Sequence, residues 1–124
     1  MLVRLGLGPA RTYLLTVTGR RSGTPRSTPV TLVVEGGRRW LVAPYGEVAW
    51  VRNLRATRRA TLSRGGRTDS IAVREVGVED AAPVLKLYVT RVPITRPYFD
   101  VKPESNLDAF RAEAPRHPVF AIVG

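Results

Sequence analysis

Two glycine pairs, Gly36-Gly37 and Gly65-Gly66, constrain this chain more than any other feature. Each separates two short runs rich in β-branched residues. A Gly-Gly step supplies the positive φ angles that a two-residue hairpin turn requires. The flanking runs are residues 26–35 (RSTPVTLVVE) with 38–43 (RRWLVA), and residues 60–64 with 67–76. Residues 11–18 (RTYLLTVT) make another strand-like run, joined to the next by a turn over residues 19–25. Pro29 lacks a ladder N–H, which pushes its strand toward an edge or a bulge. In residues 67–76, Ile71 and Val73 share one side of the strand.

The period changes twice. Residues 49–57 (AWVRNLRAT) put Trp50, Asn53 and Leu54 on one helical face. In residues 79–92, Ala82, Leu85, Val89 and Val92 form a helical stripe, and Pro83 fits only if it lies in the first turn. Pro93 and Pro97 end that helix and open an irregular segment over residues 94–103. Ser105 followed by Asp108 resembles a capping box, with Leu107 and Phe110 facing inward on a short helix that Pro115 stops. Residues 119–123 (VFAIV) read as a terminal strand.

Six strands with few helices cannot build a parallel βαβ sheet. They suit a mainly β fold: a small antiparallel barrel with helices outside or at one end. At 124 residues, 1–124 is expected to form a single domain.

Composition removes several chemistries. There is no cysteine and only one histidine, so no metal site is expected. His117, between Arg116 and Pro118, reads as a cap of the last strand and not as a base. No Walker or Rossmann glycine pattern follows a strand. No apolar run reaches transmembrane length, and residues 1–10 lack a signal-peptide core, so a cytoplasmic protein is the expectation. Basic residues outnumber acidic ones 20 to 10, giving a net charge of +10. That charge attracts any polyanion without naming one.

The turn between the first two strands, Thr18-Gly19-Arg20-Arg21-Ser22-Gly23-Thr24-Pro25-Arg26, concentrates this charge. Arginine forks match phosphate and carboxylate oxygens, and a glycine-containing turn lets backbone N–H groups approach an anion. A solvated basic hairpin is the bland alternative. Two aromatic regions complete the candidates: the loop and helix from Tyr45 to Asn53, and the segment from Ile94 to Phe99. Ligand sites of small barrels form at their mouths and loops.

These residues resemble a known family. The run T-V-T-G-R-R-S-G-T-P-R-S-T-P-V-T-L-V-V, residues 16–34, and the block W-V-R-N-L-R-A, residues 50–56, are similar to the two ordered motifs of the deazaflavin (F420)-dependent nitroreductase family. The resemblance implies a six-stranded split β-barrel with flanking helices, and F420 as cofactor. It also implies hydride transfer from reduced F420 to a small-molecule acceptor: a quinone, an activated alkene or a nitroaromatic. It places the anionic phospholactyl-oligoglutamate tail against Arg20, Arg21 and Arg26, with backbone N–H groups of Ser22, Gly23 and Thr24. Thr28, Pro29, Ala43, Pro44, Trp50 and Asn53 would flank the ring. Pro44 stands where members often carry a small polar residue, and the leading segment is shorter than in many members. For the proton that follows the hydride, Tyr45, Tyr88 and Tyr98 are the available phenols; Tyr98 is the expected donor, with Tyr45 second.

Other readings stay open at this stage. A split barrel could bind FMN, haem or a lipid-like molecule, or bind F420 without turnover. A nucleic-acid-binding barrel could stack bases on Trp40, Tyr45 and Trp50, although no specific nucleic acid is expected. A homodimer and peripheral membrane association are both compatible with the sequence.

Overall fold

The computed structural model describes residues 11–124, so the reading of residues 1–10 lies outside it. Six antiparallel strands close into a barrel in the order β1-β2-β3-β6-β5-β4. They are β1 (Thr12–Thr18), β2 (Pro25–Glu35), β3 (Arg38–Val42), β4 (Arg59–Arg64), β5 (Arg67–Glu75) and β6 (Val119–Ile122). Three helices accompany them: α1 (Ala49–Thr57), α2 (Val78–Arg91) and α3 (Leu107–Glu113). The mainly β, six-stranded barrel read from the sequence is the fold observed.

Both glycine pairs form the expected turns. Gly36 and Gly37 have φ of 58° and 76°, Gly65 and Gly66 of 58° and 81°. Each pair links directly opposed residues, Glu35 to Arg38 and Arg64 to Arg67. Two positive φ angles in succession give a turn whose twist matches the strands it joins.

Strand alternation sorts the apolar residues into two clusters. Leu15, Val17, Val30, Leu32, Leu41, Leu62, Ile71 and Phe120 fill the barrel interior. α1 plugs one mouth by adding Val51 and Leu54 to that cluster. Trp40, Val42, Val119 and Ala121 point outward and are covered by Ala82, Leu85, Tyr88 and Val89 of α2. β3 and β6 are therefore buried on both faces, which is why they read as nearly continuous apolar runs.

β2 changes neighbours along its length. Residues 25–31 pair only with β1, and β3 pairs with residues 32–35. Pro29 thus lies where one side of the strand is free of a partner, in accord with its missing N–H. That free edge becomes a wall of the site described below.

Three local expectations need correction. α2 begins at Val78, so Pro83 lies beyond its first turn. Pro83 is exposed, and on that side the Glu79 carbonyl can turn to water in place of the lost N–H. The N-cap of α3 is Asn106, whose Oδ1 accepts from the Ala109 N–H at 2.9 Å. Ser105 instead accepts from the Lys102 N–H in the preceding turn. The shift turns Leu107 outward, while Phe110 is fully buried. The segment after α2 contains a short 3₁₀ helix, Pro93–Tyr98.

Candidate functional site

The β1–β2 turn is held by its own backbone. Gly19 N–H donates to Thr24 O at 2.8 Å, and Gly23 N–H to Gly19 O at 2.9 Å, with Gly23 at φ 71°. A Cβ on Gly19 would lie 2.8 Å from Ser22 Oγ and 3.3 Å from Thr24 O, so a larger residue there would displace the Ser22 side chain. Ser22 Oγ also accepts from the Thr24 N–H at 3.1 Å. The N–H groups of Gly23 and Thr24 are thus engaged inside the turn, and the side chains of Arg20, Arg21 and Arg26 are what it presents to solvent. Arg20, Arg21 and Arg26 are exposed. None of the ion pairs among the described residues includes them. Residues 1–10 carry no Asp or Glu.

Beside the turn lies a cleft of about 620 Å³. One wall is the free edge of β2, with Arg26, Thr28, Pro29 and Thr31. Opposite are the β3–α1 loop and α1, with Pro44, Tyr45, Val48, Trp50 and Asn53. Tyr88 and Val92 of α2, and Ile94 and Thr95 of the 3₁₀ helix, close it from the side. The volume suits a cofactor-sized ligand. Its lining mixes apolar side chains with hydroxyl, phenol and amide groups, and the arginine turn lies at one end.

Half of the residues singled out in the sequence converge here, while Arg20, Arg21, Ser22, Gly23 and Thr24 stay in the turn outside the lining. Arg26, Thr28, Pro29, Pro44, Tyr45, Trp50 and Asn53 line the cleft. Ala43 does not: it is fully buried in the barrel interior, and its N–H bonds Pro118 O. Tyr98 is not among the lining residues; it packs edge-on against Tyr45, with ring centroids 4.6 Å apart. Trp50 serves two surfaces, packing against the interior cluster while lining the cleft. Trp40 is buried under α2 and offers no stacking platform for a base.

Two features were not anticipated from local pattern. Tyr88 is 3% exposed and still lines the cleft. Burial pushes its phenol up to about 12; nearby Tyr45 adds to this and Thr95 partly offsets it. Behind Pro44 sits a polar cluster. His117 Nδ1 lies 2.9 Å from Pro44 O and Nε2 lies 2.7 Å from Glu113 Oε2, with Phe99 stacked on the ring at 3.9 Å. Glu113 also accepts from the Asp100 N–H and from Arg116. Burial alone would raise the Glu113 carboxyl, but the bonds from His117, Arg116 and the Asp100 N–H outweigh it and hold it below the usual range. Pro44 O and the Glu113 carboxylate thus hold the ring from its two nitrogens. The four-residue spacing of Glu113 and His117 was the one sequence signal for this cluster.

A closed six-stranded barrel with an external cleft and an anion-ready turn defines a small-ligand-binding barrel. The comparisons make that class specific. The family model for F420H(2)-dependent quinone reductase matches residues 4–101. A solved F420-H2 dependent reductase (FDR-A) superposes with a TM-score of 0.63 at 24% identity, over 90% of this chain and 93% of that one. A structure described as a domain-swapped dimer gives 0.64 at 25% identity, over 90% and 79%. A heme binding protein from Mycobacterium smegmatis shares the fold at 0.63 and 15% identity, over 98% of this chain and 52% of its own. No curated protein matches the chain. This chain belongs to the F420H2-dependent quinone reductase family, and it is an F420-dependent reductase.

The residues present fit the cofactor that this membership implies. The apolar surface of Pro29, Val48, Trp50 and Val92 suits a deazaflavin ring, the polar groups beside it suit the ring's heteroatoms, and exposed arginines without carboxylate partners suit a polyanionic tail.

Proposed function

We propose that this protein reduces a quinone-type small molecule in the cleft between β2, the β3–α1 loop and α2. The observation that carries this is the continuity of the cleft with the arginine turn: Arg26 belongs to both. When bound, reduced F420 supplies a hydride from its deazaflavin ring, and the protein's work is to bind, orient and exclude water.

Arg21 and Arg26 hold the anionic tail, each charge-assisted bond contributing about 1.5–3 kcal/mol where it is partly desolvated. Thr28, Pro29, Trp50 and Asn53 flank the ring. Val92 and Ile94 keep the side of the cleft apolar. Tyr45 stands at its mouth with its phenol exposed, placed to give a proton to a reduced oxygen, and Tyr98 holds the Tyr45 ring edge-on. Tyr88, with a phenol that keeps its proton throughout the neutral range, supplies a fixed hydrogen-bond donor on the cleft wall.

No helix among the described residues is long and apolar enough to cross a membrane. The reading places the enzyme in the cytoplasm, with a homodimer as the assembly to test. A simple quinone, an activated alkene and a nitroaromatic, each offered with reduced F420, test the acceptor class. Quinone turnover at least tenfold faster than the other two is expected; nitroaromatic or alkene preference would overturn the quinone assignment. Tyr45→Phe is expected to lower kcat more than Tyr98→Phe. The reverse order would return the proton to Tyr98.

A further inference from the structure

Arg20 is turned inward in part. Its backbone N–H donates to Asn53 Oδ1 at 3.1 Å, and its guanidinium Nη1 donates to the same oxygen at 2.8 Å. Asn53 is 3% exposed and lines the cleft. Both groups on Arg20 are donors, so they fix which end of the amide is oxygen. An Asn flip would set an NH2 against two N–H groups. The amide NH2 is thereby turned away from the turn, and no partner for it occurs among the described residues. A buried NH2 without a partner is costly, and a ligand acceptor in the cleft removes that cost.

We infer that Arg20 is a positioning residue: it locks the Asn53 amide so that its NH2 donates to the ring portion of the ligand in the cleft. The turn then has divided labour. Arg21 and Arg26 face outward to the tail, while Arg20 couples the turn to the ring pocket across the 33 positions that separate it from Asn53. The inference rests on the F420 reading above. It differs from a tail-contact role in one respect. The effect of Arg20 must persist for a ligand that has no tail, and it must pass through Asn53.

The experiment is a double-mutant cycle in ligand affinity. Wild type, Arg20→Ala, Asn53→Ala and the double variant are titrated with F420 and with the ribityl deazaflavin that lacks phosphate and glutamates. Arg20→Ala retains the backbone N–H bond, so the amide loosens without being freed. The expected result is an approximately tenfold rise in Kd for the tail-less deazaflavin on Arg20→Ala. In the Asn53→Ala background the same change is expected to alter Kd by less than about twofold. Asn53→Asp guards against misfolding of Asn53→Ala. It keeps the Arg20 bonds as charge-assisted ones, so the melting temperature is expected to hold while deazaflavin affinity is lost.

An Arg20→Ala variant that binds the tail-less deazaflavin as wild type does overturns the inference and leaves Arg20 as a tail ligand. Additive effects of Arg20→Ala and Asn53→Ala, or unchanged affinity in Asn53→Asp, overturn it as well. Wild type that binds neither deazaflavin overturns the functional reading itself, and this inference with it.

Discussion

Two groups of arginines border the loop that follows β3, and they are treated in opposite ways. Behind Pro44, Arg116 bridges Asp100 and Glu113, and Glu113 in turn bonds His117. Arg55 likewise bridges Glu47 and Glu75 at the far side of α1. In front, Arg21 and Arg26 face solvent, Arg20 bonds Asn53, and none of the three is in an ion pair among the described residues. The chain has half as many acidic as basic residues, so pairing everywhere is ruled out by number. Where the shortfall falls is the informative part. Paired arginines hold the loop and helix termini in place, and three of the arginines outside any ion pair sit together at the end of a cleft, while the others are spread over the surface. Charge left unneutralised at one spot has an external counterion as its natural partner.

Variants can break this contrast. The largest effect is expected in the paired group. Glu113→Ala leaves the buried His117 Nε2 and the Asp100 N–H without their partner, and each orphaned buried group costs about 1–3 kcal/mol. Chemical denaturation measures this, and a loss below about 1 kcal/mol would mean that the cluster does not hold the loop. The pH dependence has a defined sign. The Glu113 carboxyl is held below its ordinary value in the folded protein. Its contribution is therefore present above the unfolded carboxylate pKa of about 4.3 and is lost as pH falls through the lower folded value. The stability difference between wild type and Glu113→Gln is expected to narrow over that acid range.

Next comes the unpaired group. Arg21→Ala/Arg26→Ala is expected to raise the Kd for F420 by about a hundredfold or more, as two charge-assisted bonds are lost. Its melting temperature is expected to match wild type, since nothing in the fold leans on those side chains. A thermal shift without an affinity change would invert the contrast. Arg55→Ala is the counterpart. It is expected to lower stability by about 1 kcal/mol, an exposed bidentate network being at the upper end for surface pairs, and to leave F420 affinity unaltered. The smallest effect belongs to Arg39→Ala, whose exposed pair with Asp69 spans 3.3 Å and whose loss is expected to stay within about 0.5 kcal/mol.

The sequence reveals these two groups unequally. The barrel was legible because its determinants are local: Gly-Gly steps with positive φ, β-branched runs, and an α2 stripe that did pack as Ala82, Leu85, Val89 and Val92. The arginine turn was legible for the same reason, as nine consecutive residues. Helix ends were read less well. Asn106 outcompeted Ser105 as cap because Ser105 is committed to the Lys102 N–H, a choice made by the turn before the helix. The paired group depends on long-range contacts. Pro44 meets His117 across 73 positions, and nothing in the local pattern of residues 43–48 announces it. Tyr88 and Tyr98 show the same limit. Both are phenols near the C-terminal end of α2, and only packing decides that Tyr88 reaches the cleft while Tyr98 packs behind Tyr45.

The most direct measurement is a fluorescence titration of the protein with F420 at physiological salt, run beside FMN and beside Arg21→Ala/Arg26→Ala. Saturable micromolar binding of F420, much weaker binding of FMN, and loss of F420 affinity in the variant are the predicted outcome. F420 binding that is undiminished when both arginines are removed would contradict the claim that the unpaired turn is the cofactor's anchor.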